Sequence, residues 1–189
     1  MFSLALKPHF CQTRVSSSSF LLRLSNNHQI KLIINKIHKM KETKVISAFP
    51  AVGKSWLFNE LSNKGISVLD SDSSNFSWLS EGVRNPDFPK NYISHIKENI
   101  GKVDYIFVSS HKEVRSEMNF NLISYILVYP HESLIKEYIE RFTKRGNDEK
   151  FIEFICKNWF QFINDLKNED CRQKIQLLQG QFLSDVAFW

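Results

Sequence analysis

Residues 48–55 read Ala48-Phe49-Pro50-Ala51-Val52-Gly53-Lys54-Ser55. They meet the phosphate-loop pattern G-x-x-x-x-G-K-[ST] at its last three places, with Ala48 standing where the first glycine is expected. The chemistry open to such a stretch is the binding of phosphate. Backbone N–H groups curl around phosphate oxygens, and a helix beginning near Gly53 aims the positive end of its dipole at them. The Lys54 ammonium can reach terminal phosphates, and the Ser55 hydroxyl can ligate Mg²⁺. Pro50, Ala51, Val52, Gly53, Lys54, Ser55 and Trp56 are therefore the expected nucleotide-binding residues. Ala51 is the demanding position, because a glycine there permits an unusual backbone angle. A left-handed alanine costs about 1–2 kcal/mol, which Pro50 offsets in part by fixing its own φ and stiffening the loop.

Acids and further cations are spaced to join this chemistry. Asp70 and Asp72 in "LDSDSSNF" close an apolar run. Two apart, both can face one side of an extended chain, where they would hold Mg²⁺ through water, with Asp70 and Ser55 as metal candidates, or position an acceptor hydroxyl. The bland alternative is that they open a turn. The run "DYIFVSS" ends without the acid usual in motor-type ATPases and offers Ser109, Ser110 and His111 instead. That argues against a mechanochemical ATPase and toward a small-molecule kinase. Phosphoryl transfer also needs positive charge around the moving group. Arg84, Arg115 and the pair Arg141 and Arg145 are the candidates. The last two stand four apart on one helical face beside a glycine turn, and their bland reading is a solvated face paired with Glu137 and Glu140.

The elements that must position these residues alternate. "KVISAF" reads as a strand, "KSWLFNELSNKG" as a helix with Leu57, Phe58 and Leu61 on one face, and "ISVLD" at 66–70 as a second strand. The polar stretch "SDSSNFSWLSEGVRNPDF" reads as loop with a short helix. "PKNYISHIKENIG" is helical by the spacing of Tyr92, Ile93, Ile96 and Ile100. A third strand follows at 103–110, a short helix "HKEVRSEM", and a fourth strand at 123–130. "ESLIKEYIERFTKRG" is an amphipathic helix. Asn147 or Asp148 caps another at 149–168, and 174–178 is a fifth strand. This alternation predicts an α/β fold, a parallel sheet covered on both faces.

The 189 residues, 42% of them apolar, suffice for one domain with a real core. Six of the 25 Lys/Arg and none of the 20 Asp/Glu fall in 1–39, so the net charge of +5 becomes −1 over 40–189. The basic excess therefore belongs to an N-terminal arm, and a near-neutral body weakens a nucleic-acid reading. The arm, with Ser16 to Ser19 in a row, is expected to be disordered. It reads as an organelle transit peptide, as an overlong start before Met40, or as a flexible tail. The protein is accordingly placed in the cytoplasm, or in a mitochondrial or other organelle matrix if the arm is a transit peptide. Cys11, Cys156 and Cys171 are too scattered for a disulfide framework or zinc site, and no run is long enough for a membrane span.

With these residues in hand, the body over about 44–185 resembles the P-loop kinases of the nucleoside monophosphate kinase and shikimate kinase type. The resemblance rests on "FPAVGKS", on "LDSD" and on "RFTKR". It is closest to small phage- or bacterium-type nucleotide kinase-like proteins through "SSHKEVR" and "KRGND". It implies a P-loop NTPase three-layer fold with a five-stranded parallel sheet of order 2-3-1-4-5, and a loop that holds ATP with Mg²⁺. It further implies catalytic roles for Lys54, Asp72 and the lid arginines Arg141 and Arg145. An acceptor site would use Asp70, Asp72, Arg84, Ser110 and Arg115, with Arg84 on the acceptor's phosphate. The expected function is transfer of the ATP γ-phosphate to a (deoxy)nucleoside monophosphate by a monomer or homodimer. The alternatives are a kinase for a hydroxyl acceptor of the shikimate or gluconate type, and a nucleotide-binding regulatory protein without turnover.

Overall fold

The structure, a computed structural model, describes residues 30–31 and 41–186. The chain divides into two units, Met1–Met40 and Lys41–Trp189. Of the first, only Ile30 and Lys31 are described, both helical. The expectations for the arm at 1–39 otherwise lie outside the described residues.

In the second unit the apolar runs are the strands β1 (Lys44–Ala48), β2 (Val68–Asp70), β5 (Tyr105–Ser109), β6 (Tyr125–Pro130) and β7 (Gln173–Leu177). Two further short strands, β3 (Trp78–Ser80) and β4 (Val83–Arg84), form a separate antiparallel hairpin. β1, β5 and β6 bury four or more consecutive residues each. Successive side chains of a strand point to opposite faces, so both faces of the sheet are covered. The five long-range strands pair in parallel throughout, in the order β2-β5-β1-β6-β7. These labels depart from 2-3-1-4-5 because the β3–β4 hairpin, not expected from sequence, intervenes in the chain. Counted within the sheet alone, the neighbours are its second, third, first, fourth and fifth strands. The hairpin escapes sequence reading because three residues against two leave too little alternation to register.

The helices are α1 (Lys54–Asn63), α2 (Ser74–Ser77), α3 (Lys90–Asn99), α4 (Lys112–Phe120), α5 (Ile135–Arg145) and α6 (Glu149–Lys167). Their stripes are those of the sequence: Leu57 and Leu61 of α1, Tyr92, Ile93 and Ile96 of α3, and Ile155, Trp159, Ile163 and Leu166 of α6 are all buried. Helix α5 stops at Gly146, whose φ of 81° lets its amide close on Thr143 O at 3.0 Å. Asp148, one of the two expected caps, then accepts from the Phe151 amide at 2.9 Å and starts α6. Among the described residues no helix is long and apolar enough to cross a membrane.

One expected site residue turns out to belong to this framework. Arg115 is 3% exposed; its Nε donates to Glu169 Oε2 at 2.7 Å, and its Nη1 donates to the Ser110 carbonyl. Glu169 also accepts from Asn119 Nδ2 at 2.9 Å and from the Tyr125 hydroxyl at 3.1 Å. Arg115 thus ties α4 to the end of α6, and its charge is consumed there. Ser110, 7% exposed, serves as its acceptor. The structure brings neither residue to the cavity described below. Arg115→Ala would leave the Glu169 carboxylate buried without its cation. It is expected to destabilise the fold by about 3–5 kcal/mol in a urea titration.

Candidate functional site

Where β1 ends, Phe49 pins the chain before it turns. Its amide donates to Val128 O at 2.9 Å. Its ring meets Tyr138 and Trp159 edge-on, with centroids 5.8 and 5.6 Å away. The next residues then turn back sharply. Ala51 has φ 61° and Gly53 φ 95°, both left-handed, so the angle a glycine would adopt is indeed adopted by Ala51. Val52, between them, is 0% exposed; its side chain is in the core, and it can serve a ligand only through its backbone.

Helix α1 starts directly after Gly53 without a side-chain cap and without an acid in its first turn. Among the described residues none accepts from the amides of Gly53, Lys54 or Ser55. A helix start with free amides and no cap is the arrangement that accepts an anion. The loop and helix start border a cavity of about 670 Å³, together with Pro50, Lys54, Ser55 and Trp56. Lys54 Nζ folds back to donate to Ala48 O at 2.9 Å and to Phe49 O at 3.4 Å. Loss of hydration lowers its pKa from 10.5 to about 8. Asp70 and Asp72 oppose that shift, and the Arg145 charge adds to it.

The opposite wall carries the acids. Ser55 Oγ donates to Asp70 Oδ2 at 3.2 Å, so the hydroxyl and carboxylate expected to share a cation do face each other. Among the described residues no cluster of three or more His, Cys, Asp or Glu side chains could enclose a metal. A hard divalent cation held through water, one carboxylate and substrate phosphates needs none. Asp72 accepts from the Ser74 amide at 2.9 Å through Oδ1. It therefore starts the turn into α2 while still bordering the cavity. Tyr92 sets the spacing of the floor. Its hydroxyl donates to Ser71 O at 2.6 Å and accepts from the Ser109 amide at 3.4 Å, joining the ends of β2 and β5. Burial pushes its pKa up to about 12, so it remains a donor. The Ser71 and Ser109 hydroxyls beside it are buried without partners among the described residues.

The four arginines separate into distinct roles. Arg84 borders the cavity, lies over the rings of Trp78 and Phe88 at 5.3 and 4.7 Å, and forms an exposed ion pair with Glu113. Arg145 borders the cavity with no partner among the described residues. Arg141 borders it too, but its guanidinium is engaged on every side. It donates to Ala51 O at 3.3 Å, to Gln181 O at 2.8 Å and to Glu137, and it lies 3.9 Å from the Phe182 ring centroid. Arg115, as above, is elsewhere. The expected pairing of Arg141 and Arg145 on one face holds as geometry, yet only Arg145 is free to meet a ligand. Lys144 joins it at the cavity, as do Trp78 and Phe182, none of them singled out from sequence. Lys144 was legible only as a neighbour in "RFTKR". Trp78 opens a strand of three residues and Phe182 sits in irregular chain, and neither setting has a periodicity that marks a side chain as functional. His111 also borders the cavity, and loss of hydration lowers its pKa, with Glu113 opposing.

The chain matches no model of a known protein family and no curated protein.

The Lys54 shift has a sign that can be tested. Between about 8 and 10.5 the unfolded chain keeps the proton and the folded one does not. The stability of the free protein therefore rises with pH across that window. Anion affinity moves the other way, because a bound polyanion needs the ammonium. Affinity for inorganic tripolyphosphate is expected to be flat below pH 8 and to fall by up to about tenfold per pH unit above it. Lys54→Arg, which stays charged, is expected to remove the step in a calorimetric titration series.

Proposed function

We propose that this chain is an ATP-dependent phosphotransferase of the P-loop NTPase fold. It transfers the γ-phosphate of ATP to a (deoxy)nucleoside monophosphate. The observation that carries the reading is the meeting of the uncapped α1 start, Lys54, the Ser55–Asp70 pair and the free Arg145 around one cavity. Each of these is a group that phosphoryl transfer requires, and they come from elements distant in sequence.

In this reading the loop amides and Lys54 bind the β- and γ-phosphates of ATP. Mg²⁺ would be held by Ser55 and, through water, Asp70, and it would neutralise charge that builds up between those phosphates. An oxygen of the acceptor monophosphate attacks the γ-phosphorus while the bond from that phosphorus to the β–γ bridging oxygen breaks, and ADP leaves with the electron pair. The acceptor oxygen is already ionised, so no strong base is needed. Arg145, with Lys144, faces the charge spread over the transferring group. Catalysis is positioning and charge neutralisation. Arg84, on its aromatic shelf, faces the acceptor's phosphate.

A second reading has its own observation. Glu113 already neutralises Arg84, which favours an uncharged acceptor with a hydroxyl activated by the second carboxylate oxygen of Asp72. One experiment separates the readings. ADP release from Mg²⁺-ATP is measured with a panel of nucleoside monophosphates, shikimate and gluconate. Turnover with a monophosphate is expected, and Lys54→Ala is expected to reduce kcat/KM by about 100-fold or more. Turnover with hydroxyl acceptors alone would establish the second reading. ATP binding with no turnover on any acceptor would make the protein a nucleotide-binding regulator.

A further inference from the structure

Three consecutive loop residues are gripped from outside, one by Arg141 of α5 and two by the strap of chain at 180–183. Ala51 gives its carbonyl to Arg141 Nη1 at 3.3 Å. Val52 gives its carbonyl to the Leu183 amide at 2.8 Å. Gly53 lies against Phe182, whose Cδ1 would stand 3.4 Å from a Cβ placed on that glycine. Arg141 in turn joins the segment to α5. It donates to Gln181 O at 2.8 Å and stacks on Phe182, while its partner Glu137 accepts from the Gly180 amide at 3.1 and 3.2 Å. The side chain of Arg141 is only 10% exposed.

We infer that Arg141 and the segment 180–183 form a brace that holds the phosphate loop in its anion-binding shape, a part that glycine plays where a loop has it at position 51. The physical basis is local. Rotating Ala51 out of the left-handed region would swing the peptide plane that carries its carbonyl and break the bond to Arg141. An alanine prefers that rotation and a glycine is indifferent to it. Engaging the Ala51 carbonyl on Arg141 and the Val52 carbonyl on the Leu183 amide also keeps their negative ends occupied away from a bound phosphate. Arg141 is thus a positioning residue that acts through Ala51. The inference rests on the phosphate-binding reading of the loop given above.

The test is a double-mutant cycle read by calorimetry with Mg²⁺-ATP on the full chain, alongside thermal unfolding. Arg141→Met keeps the apolar stem and is expected to weaken ATP binding about tenfold. Ala51→Gly supplies the second corner of the cycle, and the quantity read is the effect of Arg141→Met in its background. The double variant is expected to regain most of the loss, because glycine needs no brace. A purely structural Arg141 would lower the melting temperature without any rescue of affinity by glycine. Effects that simply add, or an Arg141→Met variant that binds like the parent, would overturn the inference. If Arg141→Met does not fold, Glu137→Ala runs the same cycle, since it removes the acceptor of both Arg141 and the Gly180 amide; a loss of affinity rescued by Ala51→Gly is again expected, and an additive result again overturns it. A parent that binds inorganic tripolyphosphate but not ATP would sink the kinase reading and leave the cycle to be read with tripolyphosphate. Binding of neither would sink both.

Discussion

A loop that turns its amide groups toward an anion must pass through left-handed backbone, and here it does so at Ala51 and Gly53. Much of the site is arranged around that constraint. Phe49 fixes where the turn starts, inside an aromatic cluster with Tyr138 and Trp159. The uncapped start of α1 fixes where it ends. The cost of a left-handed alanine, about 1–2 kcal/mol, is borne by contacts that lie outside the loop and reach it from α5 and from the chain after β7. The loop is therefore a product of tertiary structure as much as of its own sequence.

Charge around the cavity is divided between groups tied to the framework and groups left open. Lys54 is kept close to the loop by two carbonyls and is only weakly committed to its proton, with a pKa near 8. Asp70 lies across from it on Ser55, and Arg145 faces the same space without a partner among the described residues. Cations engaged in framework bonds do little for a ligand, whereas unpaired ones await one. By that criterion Arg145 and Lys144 stand with the cavity, Arg141 and Arg115 stand with the framework, and Arg84 stands between, held by the rings of Trp78 and Phe88 and by an exposed ion pair that in such settings contributes about 0–1 kcal/mol.

The β3–β4 hairpin gives the cavity its second wall. Tyr92 joins the ends of β2 and β5 beneath it, and Arg84 links the hairpin to the first turn of α4 through Glu113. Asn85 and Asn91 anchor the chain around the hairpin to the Phe76 carbonyl, each at 2.9 Å, while on the loop side Arg141 and the strap at 180–183 together hold three successive residues.

Local sequence signals placed the strands of the main sheet, most helices and the order of the candidate site residues along the chain. Apolar runs and helical stripes marked the sheet and most of its helices, and Gly-Lys-Ser after a strand marked the loop that borders the cavity, because both signals are local. Asp70 and Asp72 were legible for the same reason, as acids closing a strand. Which charges are left open depends on long-range packing. Arg115 and Arg145 look alike in sequence, yet one is neutralised by Glu169, 54 residues away, and the other is left facing the cavity. Arg141 and Ala51 stand 90 residues apart, and no local pattern records that one holds the other. The availability of a cation, and the strain a backbone can sustain, depend on partners that sequence spacing does not encode.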